Sequence, residues 1–134
     1  MPATPFEALT ASTPAASRLT HPQSILAARR LHASVYQQLG YIGTQDLSDG
    51  VIDVAIDPWA PLSTYFAASS DDGALWGVSR LIRYTPEQRL PALQHGLIAS
   101  SIAALIAKDA DSTAEVSALA IAPGAPRRTA VSLY

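Results

Sequence analysis

The chain contains 134 residues, with 9 Lys and Arg, 11 Asp and Glu, and no Cys. One domain of ordinary size accounts for this length, and a hydrophobic fraction of 49% is enough to form a core. The net charge of −2 gives no broad attraction for nucleic acid or an anionic membrane. Without cysteine there is no disulfide, no thiolate metal site and no Cys nucleophile. Composition excludes these function classes and indicates none.

No segment has the pattern of a membrane span or an export signal. The longest apolar run, residues 97–107, contains two serines and is shorter than the ~20 residues that cross a bilayer. Residues 1–19, rich in Pro, Ala, Thr and Ser, have neither a cationic start nor an apolar centre. We therefore expect a cytoplasmic protein in which residues 1–20 form a disordered arm.

The first predicted element is a helix over residues 23–39. Pro22 suits its first turn, where the missing N–H costs nothing. Gly40 suits the position after its C-terminus, where the left-handed backbone favours glycine. One side of the helix is apolar at helical spacing and is expected to pack on the rest of the domain: Ala28, Leu31, Val35 and Leu39.

Strands are predicted in the middle of the chain. A turn-like stretch over 44–50 leads to residues 51–57, where apolar and polar residues alternate as in a strand with one wet face. The clearest signal is a hairpin with strands over 64–69 and 74–84. Its turn, residues 70–73, ends in Asp-Gly, a strong turn signal.

The C-terminal part of the chain mixes both kinds of element. A loop and then a helix with an apolar stripe are predicted over 90–109, followed by a strand over 114–121. A Gly/Pro sequence at 123–126 breaks the chain, and residues 127–134 have the pattern of a further helix. Helices combined with an antiparallel hairpin indicate an α+β or α/β sandwich instead of a bundle or barrel.

Three short segments occur in a defined order along this chain. The first covers residues 28–36 and 39–41, where an Arg-containing helix leads to Val-Tyr and then Gly-Tyr. The second joins an acidic residue, a serine and an apolar pair to a Gly-x-x-Arg-Leu strand: Asp57, Ser63, Tyr65, Phe66 and residues 77–82. The third is a Glu-Val-Ser strand, residues 115–121, with a basic turn after it at Arg127 and Arg128.

In this order the segments resemble the N-terminal half of the GNAT acyltransferase superfamily, and most of all its branch of autoinducer synthases and N-acyl amino acid synthases. The resemblance implies an α+β fold: a GNAT-like α/β/α sandwich with a mostly antiparallel mixed sheet, occupying residues 21–134 and incomplete at its C-terminal end. Some positions differ from the family pattern. Ala118 stands where the branch usually has Arg, and Ala130 and Ser132 stand where the pyrophosphate loop has glycine or another small residue.

The resemblance also implies a reaction, the transfer of an acyl group from a thioester to a primary amine such as an amino acid. The thioester would be acyl-CoA or an acyl carrier protein, and no metal is implied. Such a reaction needs a base, a donor for the oxyanion and contacts to the donor's phosphates. Glu115 and Ser117, on one strand face, are the catalytic candidates. The acyl-donor candidates are Leu119, Ile121, Arg127, Arg128, Thr129 and Ala130, and the substrate candidates are Arg80, Phe66 and Trp76.

These residues also have structural interpretations, which the sequence leaves open. Glu115 is compatible with a solvated or arginine-paired carboxylate, and Arg80 with a buried salt bridge to Glu115 or Asp57. Burial alone accounts for Phe66 and Trp76. For the whole chain, the alternative is a non-catalytic α/β domain that binds a partner or forms a homodimer through its sheet edge. A third possibility is a sensory domain that binds acyl chains without transferring them.

Overall fold

The structure, a computed structural model, describes residues 15–85, 87–88, 90–91, 104, 108 and 113–133. Four strands form one sheet in the order β1-β4-β5-β6, in which every neighbouring pair is antiparallel. The predicted α+β class with an antiparallel sheet is confirmed. The elements in chain order are β1 (Ala16–Arg18), α1 (Pro22–Gln38), β2 (Leu47–Ser48), β3 (Val51–Ile52), β4 (Ser63–Ser69), β5 (Leu75–Arg83), β6 (Ala114–Ile121) and α2 (Thr129–Ser132).

Helix α1 has the ends that the sequence predicted. It begins at Pro22, and Gly40 follows its C-terminus with a left-handed φ of 78°. There the N–H of Gly40 donates to the carbonyl of Gln37 at 3.1 Å, and the N–H of Tyr41 donates to that of Tyr36 at 2.9 Å. These two bonds satisfy carbonyls that the end of a helix leaves without partners. Within the described residues no helix combines the length and apolar character that a membrane crossing requires.

The buried side of α1 differs in part from the predicted one. Ala28 and Val35 are buried as expected, but Leu39 is 58% exposed. His32 and Ala33 are buried in addition. Leu39 occupies the C-terminal cap, where the chain turns away at Gly40, so its side chain leaves the packed face. The imidazole of His32 therefore points from α1 into the interior of the domain.

The predicted hairpin is confirmed in β4 and β5. Its turn is closed by two backbone bonds, from the N–H of Ser70 to the carbonyl of Ala74 at 2.9 Å and from the N–H of Gly73 to that of Ser70 at 3.0 Å. Gly73 has a φ of 87°, which explains the glycine there. Strand β6 also has the predicted limits, Ala114–Ile121.

The strand predicted over 51–57 is wrong beyond its first two residues. Asp53 starts a turn: its Oδ1 accepts the N–H of Ala55 at 2.8 Å, and its carbonyl accepts the N–H groups of Ile56 and Asp57, both at 2.9 Å. An aspartate that binds the backbone two residues on competes with strand pairing. The alternation of apolar and polar residues thus belongs to a helical turn.

The predicted disordered arm is also wrong in part. Ala16–Arg18 forms β1, which pairs with residues 66–68 of β4, and the N–H of Leu19 donates to the carbonyl of Tyr65 at 2.9 Å. The free edge of β4 offers backbone groups that pair with almost any sequence, so this strand needs no apolar alternation. Residues 1–14 lie outside the described residues. So does the predicted helix over 90–109, apart from residues 90, 91, 104 and 108.

The sheet has two faces with different coverings. We call one the α1 face, because α1 packs on it; it carries Tyr65, Ala67, Val78, Arg80, Ile82, Ser117 and Ala120. We call the other the α2 face; it carries Phe66, Gly77, Ser79, Leu81, Val116 and Ile121. A Cβ on Gly77 would lie 2.8–2.9 Å from side-chain atoms of Ile121, Leu133 and Thr129, so α2 and its neighbours sit directly on this glycine. The helix predicted from residue 127 begins at Thr129.

Candidate functional site

Arg80 lies in the middle of β5 on the α1 face and is only 5% exposed. Its Nη1 donates to both carboxylate oxygens of Asp57, at 2.9 Å to Oδ1 and 2.7 Å to Oδ2. Of the two carboxylates that the sequence offered to Arg80, Asp57 is the one that pairs with it. A buried ion pair seldom adds net stability, because both charges lose their hydration. Net stability alone therefore does not account for this pair.

The same guanidinium connects three strands. Nε of Arg80 donates to Oγ of Ser117 at 3.3 Å, and the sheet register places Ser117 and Tyr65 directly opposite Arg80 on β6 and β4. Burial alone would lower the pKa of Arg80, but its hydrogen bond to Asp57 and the charge of that carboxylate raise it, with a smaller contribution from Tyr65. Arg80 is therefore a fixed cation at neutral pH.

Asp57 reaches Arg80 because of the turn that replaces the predicted strand. Its own N–H is bonded to the carbonyl of Asp53, and its side chain is buried with that of Arg80. Pro58 follows at once and ends the turn. The predicted strand would place Asp57 on its solvent-exposed side, whereas the observed turn directs the carboxylate to the interior. The local conformation thus decides which way this carboxylate faces.

Two further polar groups lie between α1 and the sheet, and the sequence analysis did not assign them to the site. His32 is 3% exposed and Tyr65 is 2% exposed. Burial, and then the charge of Arg80, lower the pKa of His32 to about 4, with Asp57 acting in the opposite direction and Arg29 adding slightly. His32 is therefore neutral at pH 7. One signal was present: His32 falls four residues after Ala28, in line with the predicted packing side.

Glu115 and Ser117 occupy the places that the sequence predicted. Glu115 lies opposite Ile82, and Ser117 lies opposite Arg80, so both belong to the α1 face. Both are half-buried. A carboxylate, a hydroxyl and the Arg80–Asp57 pair therefore follow one another along β6 and β5.

Strand β6 contains a bulge immediately after Ser117. Ser117 pairs with Arg80 and Ala120 pairs with Val78, so two residues of β6, Ala118 and Leu119, oppose the single residue between them on β5. Ala118 has a φ of 56°, which is unusual for a residue other than glycine. Bulges of this kind redirect side chains and are frequent beside active sites. Here the bulge ends the polar stretch of β6.

The α2 face contains a cavity of about 330 Å³. Its lining is mostly apolar and includes Phe66, Leu81 and Val116, together with Ala16, Ser79, Arg80, Ser132 and Leu133. Because the Arg80 side chain points to the α1 face, its backbone forms this part of the wall. Of the substrate candidates Phe66 and Trp76, Phe66 lines this cavity, whereas Trp76, half-buried near the other end of β5, is not among the described residues that line it.

The acyl-donor candidates do not all share one environment. Arg127 and Arg128 are exposed ahead of α2, and Ala130, Leu119 and Ile121 are half-buried. Thr129 is completely buried, and both its N–H and its hydroxyl donate to the carbonyl of Pro126, at 3.0 and 2.7 Å. Thr129 therefore packs against the sheet instead of facing a ligand. In the described part of the chain no three His, Asp or Glu side chains are grouped to hold a metal ion.

No protein-family model and no curated protein matches the chain. A solved structure does: FeeM, an N-acyl amino acid synthase from uncultured soil microbes, superposes with a TM-score of 0.60 at 24% sequence identity. The match covers 90% of this chain and 61% of the FeeM chain, so the chain spans less than two thirds of that protein's length. The domain therefore has a fold similar to that of an N-acyl amino acid synthase.

Proposed function

We propose that this is an N-acyltransferase-like domain, which transfers an acyl group from a thioester to a primary amine such as that of an amino acid. The observation that carries the proposal is the arrangement around β6. Glu115 and Ser117 project onto the polar α1 face, and the apolar cavity lies behind the same strands on the α2 face. The similarity in fold to FeeM, an N-acyl amino acid synthase, supports this choice of reaction.

In this proposal Glu115 prepares the amine for attack. Its carboxylate takes a proton from the ammonium, and the neutral amine then attacks the thioester carbonyl, forming the C–N bond. The nitrogen of the tetrahedral intermediate then gives up a second proton, the oxyanion collapses and the C–S bond breaks. Of the two protons lost by the nitrogen, one passes to the leaving thiolate and the other to solvent. Ser117 accepts a hydrogen bond from Nε of Arg80, so its own hydrogen remains available for the amine or the oxyanion.

The acyl donor would pass the edge of β6, an outer strand among the described residues, so that its thioester reaches Glu115 and Ser117 while its acyl chain lies on the α2 face. We assign its acyl chain to the cavity walled by Phe66, Leu81 and Val116, whose volume is near the lower end of the about 300–1,000 Å³ typical of ligand pockets. Arg127 and Arg128, both exposed, are the groups assigned to the phosphates of CoA or of a carrier protein's pantetheine arm. Leu119 and Ile121 would adjoin the thioester along β6.

The test is a transfer assay on the whole chain. Acyl-CoA and acyl carrier protein of several chain lengths are each combined with a panel of amines, and N-acyl products are measured by mass spectrometry. Glu115→Gln should lower kcat by about 10²-fold or more, while Glu87→Gln, at an exposed position, should leave it unchanged. No product and no thermal stabilisation with any donor would overturn the proposal.

The second candidate function is self-association through β6, which within the described residues is an outer strand of the sheet. Outer strands carry unpaired backbone groups and invite pairing with another chain. Light scattering over a range of concentrations separates the two candidates. A monomeric mass at every concentration contradicts this one.

A further inference from the structure

Two buried polar atoms on the α1 face have no hydrogen-bond partner among the described residues: Nε2 of His32 and the hydroxyl of Tyr65. Buried polar groups in folded proteins are nearly always paired, because an unpaired one loses its hydration without compensation. Their side chains come from different elements, α1 and β4. Two such atoms in one region mark a place where a polar ligand would recover the missing bonds.

Both atoms belong to the surroundings of Arg80. Tyr65 is the direct cross-strand neighbour of Arg80, and its hydroxyl contributes to the raised pKa of the guanidinium. His32 lies close enough to Arg80 and Asp57 for both charges to act on its imidazole. The hydrogen bonds of Arg80 to Asp57 and Ser117 use Nη1 and Nε. His32 and Tyr65 thus offer unpaired polar atoms beside the Arg80 cation.

The chemistry of these groups favours an anion with two acceptor oxygens. A guanidinium and a hydroxyl are donors, and a planar carboxylate accepts from both at once. The position agrees, because Arg80 is bonded to Ser117, and an amine held at Ser117 and Glu115 would have a carboxylate on its neighbouring carbon within reach of Arg80. Ser117 and Glu115 are half-buried, so both side chains are partly open to solvent.

We propose that His32 and Tyr65, beside the Arg80 cation, bind the carboxylate of an amino-acid acceptor. This inference rests on the proposed acyl transfer and deepens it, since it assigns the part of the acceptor that does not react. It makes Tyr65 and His32 specificity residues: they distinguish an amino acid from an amine of the same shape without the carboxylate. The Arg80–Asp57 pair holds the cation in place for this purpose.

The experiment compares each amino acid of a panel with its own decarboxylated amine, for example phenylalanine with phenethylamine, by calorimetry and without acyl donor. The amino acid should bind about tenfold more tightly or better. Tyr65→Phe removes only the hydroxyl and should abolish most of that difference, by weakening the amino acid and leaving the amine unchanged. His32→Gln, as a second variant, should act in the same direction.

The melting temperature provides an independent readout for Tyr65→Phe. Because the lost hydroxyl has no protein partner among the described residues, the free variant should melt at the same temperature or higher. Tyr41→Phe, whose residue is 69% exposed, is the matched control and should change neither binding nor melting. A stable Tyr65→Phe variant that has lost the difference in affinity between the two ligands is the result that a structural role would not give.

Three results would overturn the inference. The first is equal affinity of the wild-type chain for amino acid and amine. The second is unchanged discrimination in both variants. The third is a lower melting temperature for Tyr65→Phe without loss of affinity, which would mean that the hydroxyl holds a structural water only. Failure of the proposed function gives a different result. Transfer to both ligands with equal kcat/KM would support the acyl transfer and contradict the carboxylate site. Selective binding of the amino acid without any transfer would support the carboxylate site and contradict the acyl transfer.

Discussion

The two faces of the sheet are made by the same strands and yet differ in chemistry. On the α1 face a long helix covers a buried ion pair, an imidazole and a tyrosine hydroxyl. On the α2 face the four-residue helix covers one end, and an apolar cavity remains. Charge and unpaired polar atoms are thus concentrated where the covering is most complete and their desolvation costs most. Stability does not explain why these polar groups are buried on the α1 face, so we expect the reactive site to lie there.

The largest effect should come from breaking the ion pair on the α1 face. Asp57→Ala leaves the cation of Arg80 buried without its partner, and we expect a loss of about 3–5 kcal/mol in the free energy of unfolding. Urea denaturation measures it. Asp71→Ala, at an exposed turn position, is the control and should stay within about 0.5 kcal/mol. The double variant Asp57→Leu, Arg80→Met should be more stable than Asp57→Ala. If it is not, the unpartnered charge of Arg80 is not the cause of the lost stability.

The α1 face should also be sensitive to acid. Because the pKa of His32 falls from 6.5 to about 4 on folding, the unfolded chain binds a proton that the folded chain does not between these values. Stability therefore increases with pH across this window and decreases as the pH falls, by at most about 3 kcal/mol. Denaturation midpoints at several pH values measure the slope. His32→Gln should flatten it, and His21→Asn, at the exposed start of α1, should not.

On the α2 face the expected effects come from packing. Gly77→Ala adds a Cβ that meets Ile121, Leu133 and Thr129 at 2.8–2.9 Å, and overpacking of this kind costs about 1–3 kcal/mol. Ile121→Val removes the nearest of these atoms, so the double variant should recover part of the loss in thermal denaturation. No recovery would mean that the Ile121 side chain does not meet the added Cβ as described.

The smallest expected effect concerns Ser79, a buried serine of the α2 face that is bonded to a neighbouring segment. Oγ of Ser79 donates to the carbonyl of Leu133 at 3.0 Å, and Ser79→Ala should cost about 1 kcal/mol. The pH dependence described for the α1 face should be unchanged in this variant. Ser69→Ala, at an exposed strand end, is the control. An effect as large as that of Asp57→Ala would contradict the contrast between the faces.

Elements with strong local signals could be predicted from the sequence. Pro22 and Gly40 define the ends of α1, and the Asp-Gly pair at Asp72 and Gly73 defines the β4–β5 turn, because each of these residues restricts or permits a particular backbone conformation. The fold class followed from these elements. In the candidate site, the shared face of Glu115 and Ser117 followed from the two-residue period of a strand.

The remaining features depend on contacts between distant parts of the chain. The alternation before Asp57 looked like a strand, and only the hydrogen bonds of Asp53 show a turn. Which carboxylate pairs with Arg80 depends on how that turn is set against β5, and no local pattern contains this information. Burial of His32 likewise depends on the exact side of α1 that meets the sheet.

The bulge at Ala118 divides β6 into two halves in which the alternation of side chains between the two faces is shifted by one residue. In regular strands, residues on one face are separated by an even number of positions, but Ser117 and Ala120 both belong to the α1 face and are three positions apart. A single inserted residue therefore lets the first half of β6 follow the spacing of a reactive site and the second half follow the spacing of the core. Residues before Ala118 are therefore limited by the spacing of the site, and residues after it by the spacing of the core. Deletion of this one residue would leave a single spacing that cannot meet both requirements.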